Sequence, residues 1–233
     1  MSVSEELKWE ETSDGEVRIT AYTGEDEEVS IPPEIDGKKV AAIGEKAFSE
    51  CKKLRKVTVP AGVSEISPLS FDRCGSLERI DVSEDNEVFS SEDGVAFLLD
   101  ECGDKELFIF PAGRKEREYT IPDDVDGICA FAFSGCTGLT HIIIPDSVKG
   151  IGVASFMGCN SLTELTLPDS VIKIEDHAFS GCTSLTNVTI PDSVETIGSS
   201  VFERCDPVTI TYRGKSYKCD EFAEEFNVEN PWS

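Results

Sequence analysis

Residues Ile121–Cys205 read IPDDVDGICAFAFSGCTGLTHII, IPDSVKGIGVASFMGCNSLTELT, LPDSVIKIEDHAFSGCTSLTNVT and IPDSVETIGSSVFERC, one pattern written four times. The prolines Pro122, Pro145, Pro168 and Pro191 recur every 23 residues. The phenylalanines Phe133, Phe156, Phe179 and Phe202 and the cysteines Cys136, Cys159, Cys182 and Cys205 keep the same period. A fixed period in this range marks a solenoid, in which each repeat is one coil that cannot bury its apolar face alone.

The third copy shows what a coil is built to do. Leu162, Leu165 and Leu167 form L-x-x-L-x-L, the leucine-rich repeat pattern. The alternation Leu165-Thr166-Leu167 predicts a short strand with one face inward. Pro168 ends it, because proline has no amide hydrogen for a sheet ladder, and Asp169-Ser170 supply turn chemistry. Val171 and Ile174 return to the core. Glu175 to Phe179 hold no breaker and are expected to form about one helical turn, ended by Gly181. Stacking places equivalent residues about 4.8 Å apart. Small Ala and Cys beside large Phe in every layer then give the alternation a dense core needs. The fold class expected is an α/β-type repeat solenoid: a right-handed leucine-rich repeat coil of short parallel strands and short helical turns, with one enlarged hairpin-containing coil and a cap at each end.

The pattern IPDSV-x-x-IG-x-x-AF-x-GC-x-SL resembles the BspA-like leucine-rich repeat family, a bacterial and protozoan class. The resemblance runs over nearly the whole chain, the insertion and both ends included. It implies a surface or secreted protein concerned with binding or adhesion, and it brings no catalytic motif.

The 233 residues carry a net charge of −25. Phosphates would be repelled, so nucleic acid is not an expected partner, and neither is an anionic membrane. A strongly acidic surface favours solubility and is complementary to a cationic partner. No window holds the roughly 18 apolar residues of a membrane span, and MSVSEELKWEE lacks the basic and apolar regions of a signal peptide. The expectation is a cytoplasmic chain as written, or a cell-surface or secreted one if a signal was removed from the sequence.

Nine cysteines would suggest disulfides in a small secreted protein. Here Cys51, Cys74, Cys136, Cys159, Cys182 and Cys205 share one repeat position and are expected as a buried column of reduced thiols. Cys102, Cys129 and Cys219 lie outside it, and Cys102 is the expected exposed, reactive thiol. No C-x-x-C occurs, so a zinc-ribbon site is not expected.

The array removes internal domain divisions, since each coil contacts only its neighbours. Residues 1–30 form an N-terminal cap with a hairpin around Ser13-Asp14-Gly15, and the run Glu25-Asp26-Glu27-Glu28 is expected as a solvated loop. Residues 31–82 hold two diverged repeats. Residues 83–120 form the enlarged coil, with turns at Asp93-Gly94 and Gly103-Asp104. Arg114, Lys115 and Arg117 follow as a basic cluster on a solvated loop. After the regular repeats of 121–205, residues 206–233 form the second cap. There Asp220 is expected to cap a helix that sets Phe222 and Phe226 on one face.

The outward side chains of the strands make the expected binding face. One column is Lys56, Arg79, His141, Glu164 and Asn187; the next is Thr58, Asp81, Ile143, Thr166 and Thr189. Such a mixed polar surface suits an unidentified polypeptide or glycan better than a buried small molecule. His141 beside Glu164 is the single catalytic-looking pair, and a flat, wet sheet offers no shielding for catalysis; His177 is expected on the surface. Asp123, Asp146, Asp169 and Asp192 form a carboxylate column, for which turn chemistry is preferred to calcium binding. Asn187-Val188-Thr189 matches a glycosylation sequon but falls on an expected strand. The reading is a monomeric, non-enzymatic binding module without cofactor or metal. The alternatives are an adhesion or display protein and, last, an enzyme resting on His141 and Glu164.

Overall fold

The computed structural model describes residues 3–100, 103–206 and 208–226. Cys102, expected as the reactive thiol, lies outside them. Two compact units emerge: Met1–Gly103 with Ile109–Arg114, and Asp104–Phe108 with Lys115–Ser233.

The second unit holds the regular repeats, and each coil gives one strand to each of two parallel ladders. In one ladder Glu118–Thr120, His141–Ile143, Glu164–Thr166, Asn187–Ile190 and Thr209–Tyr212 follow in order, and Lys215–Lys218 closes it antiparallel. Lysines on this closing strand discourage further strand pairing. The other ladder is made of two-residue strands, Gly127–Ile128, Gly150–Ile151, Lys173–Ile174 and Thr196–Ile197, with Glu106 and Leu107 paired to the first of them.

The P-D-S-V sequence joins the two ladders as a turn. The Val125, Val148, Val171 and Val194 amides donate to the carbonyls of Pro122, Pro145, Pro168 and Pro191 at 3.1–3.2 Å. Serine at its third position ties coil to coil in the last two copies. Ser170 Oγ donates to the Val148 carbonyl and Ser193 Oγ to the Val171 carbonyl, both at 2.8 Å.

The third side of the coil corrects the sequence reading. The segment from Glu175 to Phe179 is not helical: His177 has φ of 56°, and Gly181 follows at 75°. The same left-handed positions recur at Phe131, Ala154 and Ser200, and a right-handed helix cannot pass through them. Alternate amides instead bond across the stack: His177, Phe179 and Gly181 donate to the carbonyls of Ser199, Val201 and Glu203 at 2.7–2.9 Å. The amides between them close turns within the coil, as Ser180 does on the His177 carbonyl at 2.9 Å. Every coil is thus hydrogen-bonded to its neighbours on this side as well.

Inside, the aromatic column is continuous. Phe133, Phe156, Phe179 and Phe202 stack with centroid separations of 4.9, 5.2 and 5.5 Å and interplanar angles of 7°, 16° and 12°. Beside them, the thiols of Cys159, Cys182 and Cys205 donate to the carbonyls of Phe133, Phe156 and Phe179 at 3.0–3.2 Å. None of the eight described cysteines is joined in a disulfide. Cys219, expected outside the column, continues it: its thiol donates to the Phe202 carbonyl at 2.6 Å. The cap displaces it in sequence but not in space. The final helix, Cys219–Phe226, begins one residue before Asp220, so Asp220 is not its cap. The Lys218 amide donates instead to the Glu221 carboxylate at 2.9 Å. Phe222 and Phe226 do share a face, 4.7 Å apart, and Phe222 meets Phe202 edge-on at 5.7 Å.

In the first unit, Leu7–Glu11 and Val17–Tyr22 form an antiparallel hairpin, and Val17–Tyr22 pairs in parallel with Lys38–Ile43. Glu28–Ser30, Lys56–Val59 and Arg79–Val82 make a parallel ladder of their own. Glu25, Asp26 and Glu27 form an exposed loop as expected, with Glu25 bonded to Lys53 at 2.6 Å, whereas Glu28 begins a strand. The inserted hairpin, Phe89–Glu92 with Val95–Leu99, turns at Asp93 and Gly94 with φ of 47° and 78°, the pair of left-handed residues that a tight hairpin turn demands. It covers the edge of the ladder, since the Ile80 amide donates to the Gly94 carbonyl at 2.9 Å and the Val82 amide to Ser91 Oγ at 2.9 Å. Asn86 anchors it. Its amide group donates to the Pro60 and Val63 carbonyls at 3.2 and 2.8 Å, and its oxygen accepts from the Val88 and Phe89 amides at 3.0 and 2.8 Å. Arg114 is not solvated as expected. Its side chain, 7% exposed, bonds to Asp93 at 2.9 Å and lies over the Phe110 ring. Lys115 and Arg117 are exposed.

Candidate functional site

The outward positions of the strands fall where the alternation of the sequence places them. In the first unit Lys56 sits beside Arg79 and Thr58 beside Asp81. In the second, His141, Glu164 and Asn187 form one column and Ile143, Thr166 and Thr189 the next. The structure lengthens both columns. Glu118 and Thr120 precede them, and Thr209 and Thr211 follow, then Lys218 and Ser216 across the closing hairpin. Glu28 and Ser30 likewise extend the first unit's face. The signal for the missed residues was present: Glu28-Val29-Ser30 and Glu118-Tyr119-Thr120 each stand directly before Ile-Pro, as His141-Ile142-Ile143 does.

The two faces differ in chemistry. In the first unit the charges neutralise one another. Asp81 takes Lys56 at 2.9 Å and Arg79 at 3.0 Å, and Arg79 also lies 3.6 Å from Asp93. Burial raises the Asp81 carboxyl, but the bonds from Lys56 and Arg79 outweigh it and leave the group below its ordinary range. In the second unit Ile143 is 50% exposed, and the hydroxyls of Thr120, Thr166 and Thr189 have no hydrogen-bond partner among the described residues. A further threonine column serves the fold rather than the surface. Thr140 Oγ1 donates to the Arg117 carbonyl at 3.0 Å, and Thr163 Oγ1 to the Thr140 carbonyl at 3.1 Å.

His141 Nδ1 lies 3.7 Å from Glu164 Oε2, with side chains 37% and 77% exposed. That separation exceeds a hydrogen bond, and the pair is open to solvent. His177 is exposed, 3.6 Å from Glu203 one coil on. Asp123, Asp146, Asp169 and Asp192 all point outward from their turns. Among the described residues no group of three His, Cys, Asp or Glu side chains could hold a metal ion. Asn187 of the sequon is on a strand, its amide donating to Thr186 Oγ1 at 3.2 Å. Among the described residues no helix is long and apolar enough to cross a membrane.

Concave space lies elsewhere. One cavity of about 260 Å³ opens between the last coil and the final helix, lined by Val201, Phe202, Cys219, Phe222, Ala223 and Phe226 among others. A second, of about 410 Å³, lies beside the first coil, with Tyr22, Gly24, Glu25, Cys51, Lys52 and Lys53 on its walls.

Solved structures of similar fold include a leucine rich cell surface protein from Faecalibacterium prausnitzii, with a TM-score of 0.52 and 19% identity over 90% of this chain and 94% of that one. The pneumococcal vaccine antigen PcpA gives a TM-score of 0.57 and 24% identity, covering 77% of this chain and 50% of that one. A leucine-rich repeat protein from Bacteroides ovatus gives 0.52 and 24%, over 85% and 55% of the two chains. A comparison with curated proteins returns no match. The family model of the BspA type leucine rich repeat region matches residues 26–94 and 109–223 in six copies. With its coils, its strand face and this match together, the chain belongs to the BspA-type leucine-rich repeat family.

Proposed function

We propose that this chain is a non-enzymatic binding module, displayed at the cell surface, that engages a polypeptide or glycan through the outward strand face of its second unit. One observation carries the reading. The first unit's face is occupied by its own ion pairs, whereas the second presents free hydroxyls at Thr120, Thr166 and Thr189 around the exposed Ile143. An exposed apolar side chain within a hydrogen-bonding surface is the composition of an interface centre. A flat sheet of this kind buries a partner's surface by area rather than by enclosing it, which suits a polymer over a small molecule. The display reading draws on the family and on the Faecalibacterium protein, whose description places that protein at the cell surface.

The test is a screen of the purified protein against a glycan array and a panel of extracellular proteins, followed by paired variants. Ile143→Arg with Thr166→Arg should weaken any binding by about tenfold or more. Thr58→Arg in the first unit should leave it unchanged. A partner that binds both variants as it binds the parent protein refutes the second unit's face as the site. Protease shaving of intact native cells tests display separately: a chain protected in whole cells and cleaved in lysates refutes it.

A further inference from the structure

The thiol columns are sealed at most of their members. Cys74, Cys136, Cys159, Cys182 and Cys205 are each at most 1% exposed. Cys51, the first thiol of the first unit's column, is only half-buried and forms part of the wall of the cavity beside Tyr22, Lys52 and Lys53. The sequence reading placed it with the buried thiols. Thr23 and Gly24, which share the wall of that cavity, lie in a loop rather than in a strand or helix.

Directly beneath lies Cys74, at the equivalent place on the next coil. The backbones there are bonded to each other: the Phe48 amide donates to the Ser70 carbonyl at 2.8 Å and the Glu50 amide to the Asp72 carbonyl at 2.9 Å. Such bonding sets equivalent Cα atoms about 5 Å apart, inside the range of about 4.4–6.8 Å that a disulfide spans. We propose that Cys51 is an oxidation site reached through this cavity, and that Cys74 resolves the oxidised form into a Cys51–Cys74 disulfide.

The electron bookkeeping needs a peroxide as oxidant. The Cys51 thiolate attacks the O–O bond, which breaks, leaving a sulfenic acid on Cys51 and releasing an alkoxide or hydroxide that takes up a proton. The Cys74 sulfur then attacks the Cys51 sulfur, the S–O bond breaks, and hydroxide departs with the Cys74 proton as water. Two thiols and one peroxide become one disulfide, one water and one alcohol or second water. The thiols are arranged for these roles. Cys74 donates to the Phe48 carbonyl at 2.8 Å and also interacts with the Cys51 sulfur. That interaction stabilises charge on Cys51 and draws its pKa below the ordinary thiol value, against the opposing effect of burial. The same contact, with burial, pushes Cys74 up, so Cys51 is the thiol of the pair that ionises first. Cys219 of the second unit, also half-buried, is pushed up to about 11, chiefly by burial, so exposure alone does not make it comparable.

The experiment uses the whole chain carrying Cys102→Ser, which removes the thiol outside the described residues. Limited iodoacetamide labelling with peptide mapping should find Cys51 modified at least about tenfold faster than Cys136, Cys159 or Cys182. Hydrogen peroxide should remove two thiols and two hydrogens, with a Cys51–Cys74 linked peptide. Cys74→Ser should instead leave a Cys51 sulfenic acid that dimedone traps, and Cys74→Ala provides the same reading if the serine hydroxyl disturbs folding. Equal labelling rates across the column refute the site. A dimedone adduct in the parent protein with no linked peptide refutes the resolving role of Cys74.

Discussion

Replacing Phe179 by alanine removes the middle of a stack rather than a single contact. The ring is fully buried, 5.2 Å from Phe156 and 5.5 Å from Phe202, and nearly parallel to both. Truncating a buried phenylalanine costs about 3–5 kcal/mol, the transfer of the ring plus the cavity it leaves. Losing two aromatic pairs adds about 0.5–1.5 kcal/mol each beyond area burial, and part of this is already contained in the measured truncation range. Collapse of the cavity is opposed by the bonds that hold this segment: the Phe179 amide donates to the Val201 carbonyl at 2.9 Å, and its carbonyl accepts the Cys205 thiol at 3.0 Å. The expected loss is therefore toward the upper end, about 4–5 kcal/mol. Because coupling in a stack passes between adjacent coils, amide exchange should accelerate first in residues 144–206. Thr166→Ala, on the outward face, should cost no more than about 0.5 kcal/mol. Urea unfolding of both variants, followed by circular dichroism and amide exchange, measures the difference. Comparable losses in the two would refute the assignment of inward and outward positions, and the proposed face with it.

Gly152→Ala should destabilise by about 1–3 kcal/mol, because a Cβ there would lie 2.6 Å from the Ile128 carbonyl oxygen, while Gly150→Ala, with open space around it, should be near neutral in the same thermal melts. Asn86→Ala strands the Val88 and Phe89 amides and the Pro60 and Val63 carbonyls, so urea unfolding should show a loss of at least about 2 kcal/mol, and a loss under 0.5 kcal/mol would contradict the anchoring role. Arg18 grips Glu65 through two bonds of 2.7 Å, and these hold the Glu65 carboxyl below its usual value of 4.5. A depressed carboxyl contributes stability above its unfolded pKa and loses it as pH falls through the folded one. The stability gap between the parent and Arg18→Gln should thus be present at neutral pH and close as the solution is acidified below about pH 4.5; a gap that persists at acid pH would show that the pair is not its source.

The period of 23 residues carried most of the fold by itself. Apolar residues that recur at fixed intervals must meet their copies, so the phenylalanine column and the alternation of the strands followed from spacing, and so did the pairing of His141 with Glu164 and Ile143 with Thr166. Turn chemistry is equally local, and Asp93-Gly94 formed the tight hairpin its residue types demand. Three features were decided only in three dimensions. The segment around His177 carries no helix breaker, yet His177 itself is left-handed and the amides of the segment find carbonyls on the next coil, a competition that local propensity does not contain. Cys219 entered the thiol column from 14 residues beyond Cys205 because the cap folds back over the last coil, which breaks the period in sequence while keeping it in space. Cys51 and Cys136 hold the same place in the repeat, but Cys136 is 1% exposed whereas Cys51 is half-buried on the wall of a cavity. A repeat pattern specifies what each coil presents to its neighbours; where a neighbouring coil is irregular, exposure is set by tertiary packing, as at Cys51.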